Sequence, residues 1–332
     1  MVDLLAALPS LPMGYPRRHT VPDDTRGIYH CVSRCVRRAF LCGVDSLSGR
    51  SFEHRKYWIE HRLLELANVF SVAVHAYAVM SNHVHVVIEV DPETAATWSS
   101  EDVARRWLTV FGRGGRKDAT LALRVAAIIG DLERVAVLRR RLGSLSWFMR
   151  ALNEPIARRA NREDECTGRF WEGRFKCQAL LDDAALLACM AYVDLNPVRA
   201  GTASLNENSP HTSAWWRARR LSQARKLEPI SGSIVAHVLD ISERRYLQLL
   251  EWTGKELHSV DGKRMPDGCS PVLNRLSMNS KQWLIQVSAT ESHYWRAVGS
   301  AQALIEQARR FSCRWLKGVG FARHLSTLSK IA

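Results

Sequence analysis

The stretch SVAVHAYAVMSNHVHVVIEV, Ser71 to Val90, constrains the fold of this chain more than any other. It reads as two strands joined by a tight turn at Met80-Ser81-Asn82. Successive side chains of a strand point to opposite faces, so His83 and His85 share one face. Val84, Val86 and Ile88 form the other face and suit a core. Two imidazoles at i and i+2 start roughly 6–7 Å apart at their bases, and their ring tips can converge on one divalent ion. Two solvent-facing histidines on a half-buried strand would give the same pattern.

A second segment lies far downstream, Ala191-Tyr192-Val193-Asp194-Leu195-Asn196-Pro197-Val198-Arg199-Ala200-Gly201. Asp182 and Asp183 supply an N-cap, and Ala184 to Leu195 is a helical run. Pro197 disfavours helix at the residue before it, which predicts a stop near Asn196. Leu186, Met190 and Val193 fall on one apolar face. Ala185, Cys189, Tyr192 and Asn196 fall on another, at i, i+4, i+7 and i+11. A tyrosine hydroxyl and an amide one turn apart can address the same ion and the same phosphate.

The MSNHVHVVIEV and AYVDLNPVRAG segments, in that order, resemble the REP-associated tyrosine transposases. These are relatives of the single-tyrosine insertion-sequence transposases that carry two histidines around a bulky apolar residue. The match covers Gly14 to Ser213. The family more often has proline where this chain has Ser81, which affects turn stiffness and not chemistry. The resemblance implies that His83, His85 and Asn196 are metal ligands, that Tyr192 is the nucleophile, and that the ion is Mg²⁺ or Mn²⁺. It implies cleavage and transfer of single-stranded or hairpin repeat DNA through a covalent phosphotyrosine. It also implies a ferredoxin-like sheet with the tyrosine helix laid across the histidine strand. On ligand chemistry alone, imidazole leans toward Mn²⁺ or Zn²⁺.

The order of elements reaches an α+β fold without the resemblance. Gly27 to Val36 alternates as a first strand, with His30, Val32 and Arg34 facing away from Tyr29, Cys31 and Ser33. His54 to Phe70 is an amphipathic helix. After the histidine hairpin, Asp91 to Arg141 is helical, interrupted by glycines, and reads as an insertion at about 92–141. Ser144 to Asn161 is a second core helix, and Arg174 to Leu181 a last strand. Without the insertion and the tyrosine helix the order is βαββαβ, the split-βαβ arrangement. His75, on the first hairpin strand, reads as a supporting histidine and not a ligand.

Charge points to a polyanion. The formal net charge is +14, and residues 217–332 carry 19 Lys and Arg against 9 Asp and Glu. Arg17 and Arg18 in an N-terminal arm (residues 1–26) are candidate DNA contacts. So are Arg169, Trp171, Arg174 and Lys176, where cations interleave with aromatics as single-strand binding requires. An ordinary core aromatic beside surface arginines would look the same. The expected units are the arm, a catalytic domain over 27–213, and a basic helical region over 218–332 that holds DNA or caps the catalytic domain. Within that region the last helix is expected over Ala301 to Leu316, burying Leu304, Ala308, Phe311 and Trp315.

No run of 18 apolar residues occurs, so no transmembrane helix is predicted. The apolar N-terminus lacks a basic n-region, so a secretory signal is not expected. The eight cysteines form no C-x-x-C pair and are expected as reduced thiols of a cytoplasmic, nucleoid-associated protein. Cys31, Cys35 and Cys42 with His30 are a subsidiary zinc candidate. The sequence leaves monomer and homodimer open.

Overall fold

A computed structural model describes residues 21, 25–36, 41–44, 49–112, 120–201, 209–220, 225–258 and 265–328. Arg17 and Arg18 lie outside the described residues, as does most of the expected arm.

Alternating side chains build the first half as anticipated. β1 (Gly27–Arg34) leads to α1 (His54–Ala67), then to the hairpin of β2 (Val72–Val79) and β3 (His83–Val90). The region expected as an insertion forms α2 (Pro92–Thr97), α3 (Ser100–Phe111), α4 (Leu121–Ile129) and α5 (Leu132–Leu142). Next come α6 (Leu145–Glu163), β4 (Lys176–Leu180), α7 (Asp183–Asp194), the single turn α8 (Asn196–Arg199) and α9 (Ser213–Arg219). The remainder comprises β5 (Lys226–Leu227), β6 (Ser231–Gly232), β7 (Leu239–Ser242), α10 (Glu243–His258), α11 (Ser270–Arg275), α12 (Ser280–Ala289), β8 (Ala297–Val298), α13 (Ala301–Arg310) and α14 (Val319–Thr327).

The result is a mixed α+β fold around a six-stranded sheet in the order β6-β2-β3-β1-β4-β8. Every neighbouring pair is antiparallel except β4 and β8. Register fixes the faces. Tyr29, Cys31 and Ser33 lie opposite Ile88, Val86 and Val84, and this apolar face packs under α1 and α6. Asn153 of α6 donates to Ser33 at 2.8 Å, and the Tyr77 hydroxyl donates to Glu60 of α1 at 2.6 Å. The other face carries His30, Val32, Arg34, His83, His85 and Val87, and α7 lies across it on β2 and β3.

Residues after 218 supply both outer strands of this sheet, β6 on β2 and β8 on β4. α12 packs on α7, and Tyr246 of α10 reaches Asp194 at the C-terminal end of α7. Between the sheet and these helices, every residue of α7 from Ala185 to Asp194 is buried. A helix enclosed on all sides needs no polar face, which explains its unbroken run of small and apolar residues.

Both ends of α7 are tied down. Asp182 caps it by accepting from the Ala185 N–H at 2.9 Å, and its second oxygen accepts from the Ser300 N–H at 2.7 Å. Asp194 accepts from the hydroxyls of Ser213 and Tyr246 and from the Ala214 N–H. Burial raises the Asp194 carboxyl above its usual range, against the pull of these donors. Pro197 lies in the first turn of α8, where its missing N–H costs nothing, and Asn196 begins that turn, four residues beyond Tyr192.

The last long helix is shorter than its spacing predicts. α13 stops at Arg310, and Ser312 takes a left-handed φ of 52°. Leu304, Ala308 and Phe311 are buried, but Trp315 lies beyond the helix and is 68% exposed. No described helix is long and apolar enough to cross a membrane.

Candidate active site and metal centre

β3 delivers His83 and His85 to the same face, with ring centroids 4.7 Å apart. His85 is buried and His83 half-buried at the strand's start. α7 brings Tyr192 above them, its ring centroid 5.8 Å from that of His85. One turn on, the Asn196 amide lies 3.2 Å from Nε2 of His85. The four residues singled out in the sequence therefore lie together in one cluster.

Two further groups stand in this cluster. His30 of β1 places Nε2 at 2.9 Å from Nδ1 of His85, and its ring centroid is 6.1 Å from that of Tyr192. Glu291, in the loop after α12, lies 3.7 Å from Nδ1 of His85. The alternation of β1 put His30 on the correct face, but only the β1–β3 register sets it beside His85. Glu291 left no signal, since it reaches the site by the folding of a distant loop.

Two donor sets share His85, on opposite ring nitrogens. The Asn196 amide lies on the Nε2 side, and the His83 ring stands 4.7 Å from that of His85. The donor atoms of His30, His85 and Glu291 lie within 4.8 Å of one another on the Nδ1 side. Neutral imidazole, amide and carboxylate are all donors that divalent ions accept, so either set fits such an ion by chemistry. The cysteine alternative fails geometrically, because Cys31 projects to the face opposite His30 and lies 4.0 Å from Cys177.

Burial dominates the electrostatics. It lowers the pKa of His30 and His85, and it takes His83 down to about 4 with help from Arg34. All three rings are thus neutral at pH 7, the form that binds metal. Burial, and then the Glu291 carboxylate, raise the Tyr192 phenol well above its usual value. The Arg199 guanidinium, 4.7 Å over the Tyr192 ring, pulls the other way. A phenol in this setting keeps its proton at neutral pH and needs an acceptor to attack anything.

The expected DNA contacts separate. Arg169, Arg174 and Lys176 are exposed, and Lys176 pairs with Val32 on the strand beside the site. Trp171 is half-buried, its indole N–H donates to the Asn153 carbonyl at 2.9 Å, and its backbone bridges to Cys35. That environment is the one a packed aromatic takes. His75 is buried and held 3.0 Å from Glu89.

No protein-family profile and no curated protein matches this chain. A solved structure of a REP-associated tyrosine transposase bound to a REP hairpin is distantly similar, at 12% identity and a TM-score of 0.34. The likeness covers 70% of this chain and 96% of that one.

Proposed function

We propose that this chain is a metal-dependent DNA strand transferase that cleaves single-stranded or hairpin DNA through a covalent phosphotyrosine, as a transposase of the REP-associated tyrosine kind. The observation that carries this reading is the Tyr192 ring set 5.8 Å from that of His85, with the His83 ring 4.7 Å and the Asn196 amide 3.2 Å from the same histidine. A structural tyrosine has no need of such neighbours. The order β2-β3-β1-β4 within the sheet supports the split-βαβ, ferredoxin-like arrangement that the reading expects.

Under this reading His83, His85 and Asn196 hold Mg²⁺ or Mn²⁺. A bound divalent ion would polarise the scissile phosphate and offset charge in the transition state. The protein does the rest. Tyr192 Oη attacks phosphorus, an O–P bond forms, and the bond to the departing 3′ oxygen breaks. The phenolic proton passes to the Glu291 carboxylate, whose charge already acts on the phenol. The departing oxygen takes up a proton and leaves as a 3′ hydroxyl, while the 5′ phosphate stays on Tyr192. Attack by another 3′ hydroxyl reverses these steps, so rejoining needs no ATP. Exposed Arg169, Arg174 and Lys176 contact the phosphate backbone, with Arg17 and Arg18 as further contacts. The protein works in the cytoplasm on the nucleoid.

The test is a denaturing gel of end-labelled single-stranded DNA incubated with the protein and Mn²⁺. A protein–DNA adduct that survives denaturation is the expected result. Free cleaved ends without an adduct would indicate a hydrolytic nuclease. Neither product, with DNA retained on a native gel, would indicate a binding protein only.

A further inference from the structure

The geometry points to His30 and Gln178 as positioning residues, a hydrogen-bond relay that fixes the tautomer of His85 and turns a lone pair of Nε2 toward Asn196 and Tyr192. This inference rests on the reading of His85 as a metal ligand and adds how its ligating nitrogen is selected.

The chain of reasoning starts at a backbone carbonyl, which can only accept. Gln178 Nε2 donates to the Thr290 carbonyl at 3.3 Å, and this orients the amide. Gln178 Oε1 then faces His30 Nδ1 at 3.3 Å. A carboxamide oxygen only accepts, so Nδ1 of His30 carries the proton. A neutral imidazole has one N–H, which leaves Nε2 of His30 as an acceptor. Its partner, 2.9 Å away, is Nδ1 of His85, which must donate. Nε2 of His85 is therefore the nitrogen without a proton, and the Asn196 Nδ2 that approaches it at 3.2 Å is a donor. Every contact in the series agrees with one proton assignment.

Neutrality is required, because a protonated His30 would donate from both nitrogens and reverse the relay. Burial of both rings supplies it. A ligating histidine is commonly held through its other ring nitrogen, and the partner there sets ring orientation and basicity. Here that partner is a second histidine, itself oriented by β4 and by the residue next to Glu291. The same series disfavours the His30, His85 and Glu291 donor set, since Nδ1 of His85 is engaged as an N–H.

The experiment uses the full chain labelled with ¹⁵N-histidine, free of metal, and reads the ring tautomers by long-range ¹H–¹⁵N NMR. His85 and His30 should each carry the proton on Nδ1. A proton on Nε2 of His85 overturns the relay. Titration with Zn²⁺, which is diamagnetic, should move the Nε2 resonances of His83 and His85 and leave the Nδ1 proton of His85 in place. Loss of that Nδ1 proton would place the ion between His30, His85 and Glu291 and overturn the inference. The expected tautomer with no Zn²⁺ response at Nε2 would leave the relay intact and refute the ligand reading. Gln178→Leu should mix the His85 tautomers and weaken Zn²⁺ binding about 10–100-fold. Zn²⁺ affinity unchanged in that variant, with its fold verified by circular dichroism, also overturns the positioning role.

Discussion

The Glu291 carboxylate lies 3.7 Å from Nδ1 of His85. The carboxylate comes from the loop that follows α12, so the segment after residue 218 contributes to the site. Glu291→Gln keeps an acceptor of the same shape but removes the proton sink. Adduct formation under single-turnover conditions should slow about 10²–10⁴-fold, as for loss of a general base. DNA affinity should not change. A rate equal to wild type would exclude Glu291 as the proton acceptor.

Tyr192→Phe should abolish the covalent adduct while preserving fold and DNA binding. The ring keeps its buried place, so stability should change little. Thermal denaturation and the denaturing gel report the two effects separately. An adduct in the variant would name another nucleophile.

His83→Ala and His85→Ala should each eliminate cleavage and spare electrostatic DNA binding. Chelator should reproduce the loss. Added Mn²⁺ should restore the chelated wild type and neither variant. Asn196→Ala should be milder, because water can replace an amide ligand; a loss as deep as in the histidine variants would mean that Asn196 chiefly places Tyr192. Full activity in excess chelator would remove the metal from the mechanism.

Deletion of residues 218–332 should yield an aggregating fragment. It would remove the partners of β2 and β4 at both sheet edges, uncover α7, and take the Tyr246 hydroxyl from buried Asp194. A soluble, cooperatively folding fragment would show that these contacts are dispensable. The basic charge of this segment and its packing role are compatible, since its lysines and arginines need not lie on the buried side.

Acid should destabilise the metal-free protein. His83 has its pKa lowered to about 4, and His30, His75 and His85 are lowered as well. Below the unfolded value near 6.5 the unfolded chain binds protons that the folded chain refuses. Stability is therefore complete above about pH 6.5 and falls as pH drops toward about 4. Asp194, whose pKa is raised, works in the opposite sense and tempers the fall. Melting temperature in chelator across pH 8 to 5 measures the trend, and a flat profile would contradict neutral burial of the histidines.

Period-two and helical spacing made much of the site legible. The alternation of β3 placed His83 with His85, and the i, i+4 relation placed Asn196 with Tyr192. Both are local geometry, fixed by the backbone repeat. Gln178 and His30 became partners only through strand register, which no single strand encodes. The union of residues after 218 with the sheet was hidden because β6 and β8 are two residues long, too short for any periodicity. Trp315 fits the helical spacing of Leu304 and Phe311, yet the left-handed turn at Ser312 ends the pattern first, and serine gives little warning of it. Trp171 looked equally fit for bases and for core, and its indole N–H settled into a helix carbonyl.

In the proposed reaction the two aspartates that bracket α7 govern how a broken DNA strand is handed on. Asp182 is fastened to Ser300, and Asp194 to Ser213 and Tyr246. A strand that rode on a swinging helix would break these carboxylate bonds and bare an apolar rod. In the proposed reaction the tyrosine is the stationary partner. The nucleic acid does the travelling, and a second end must thread to an unmoving phosphotyrosine beside the histidines of the same chain.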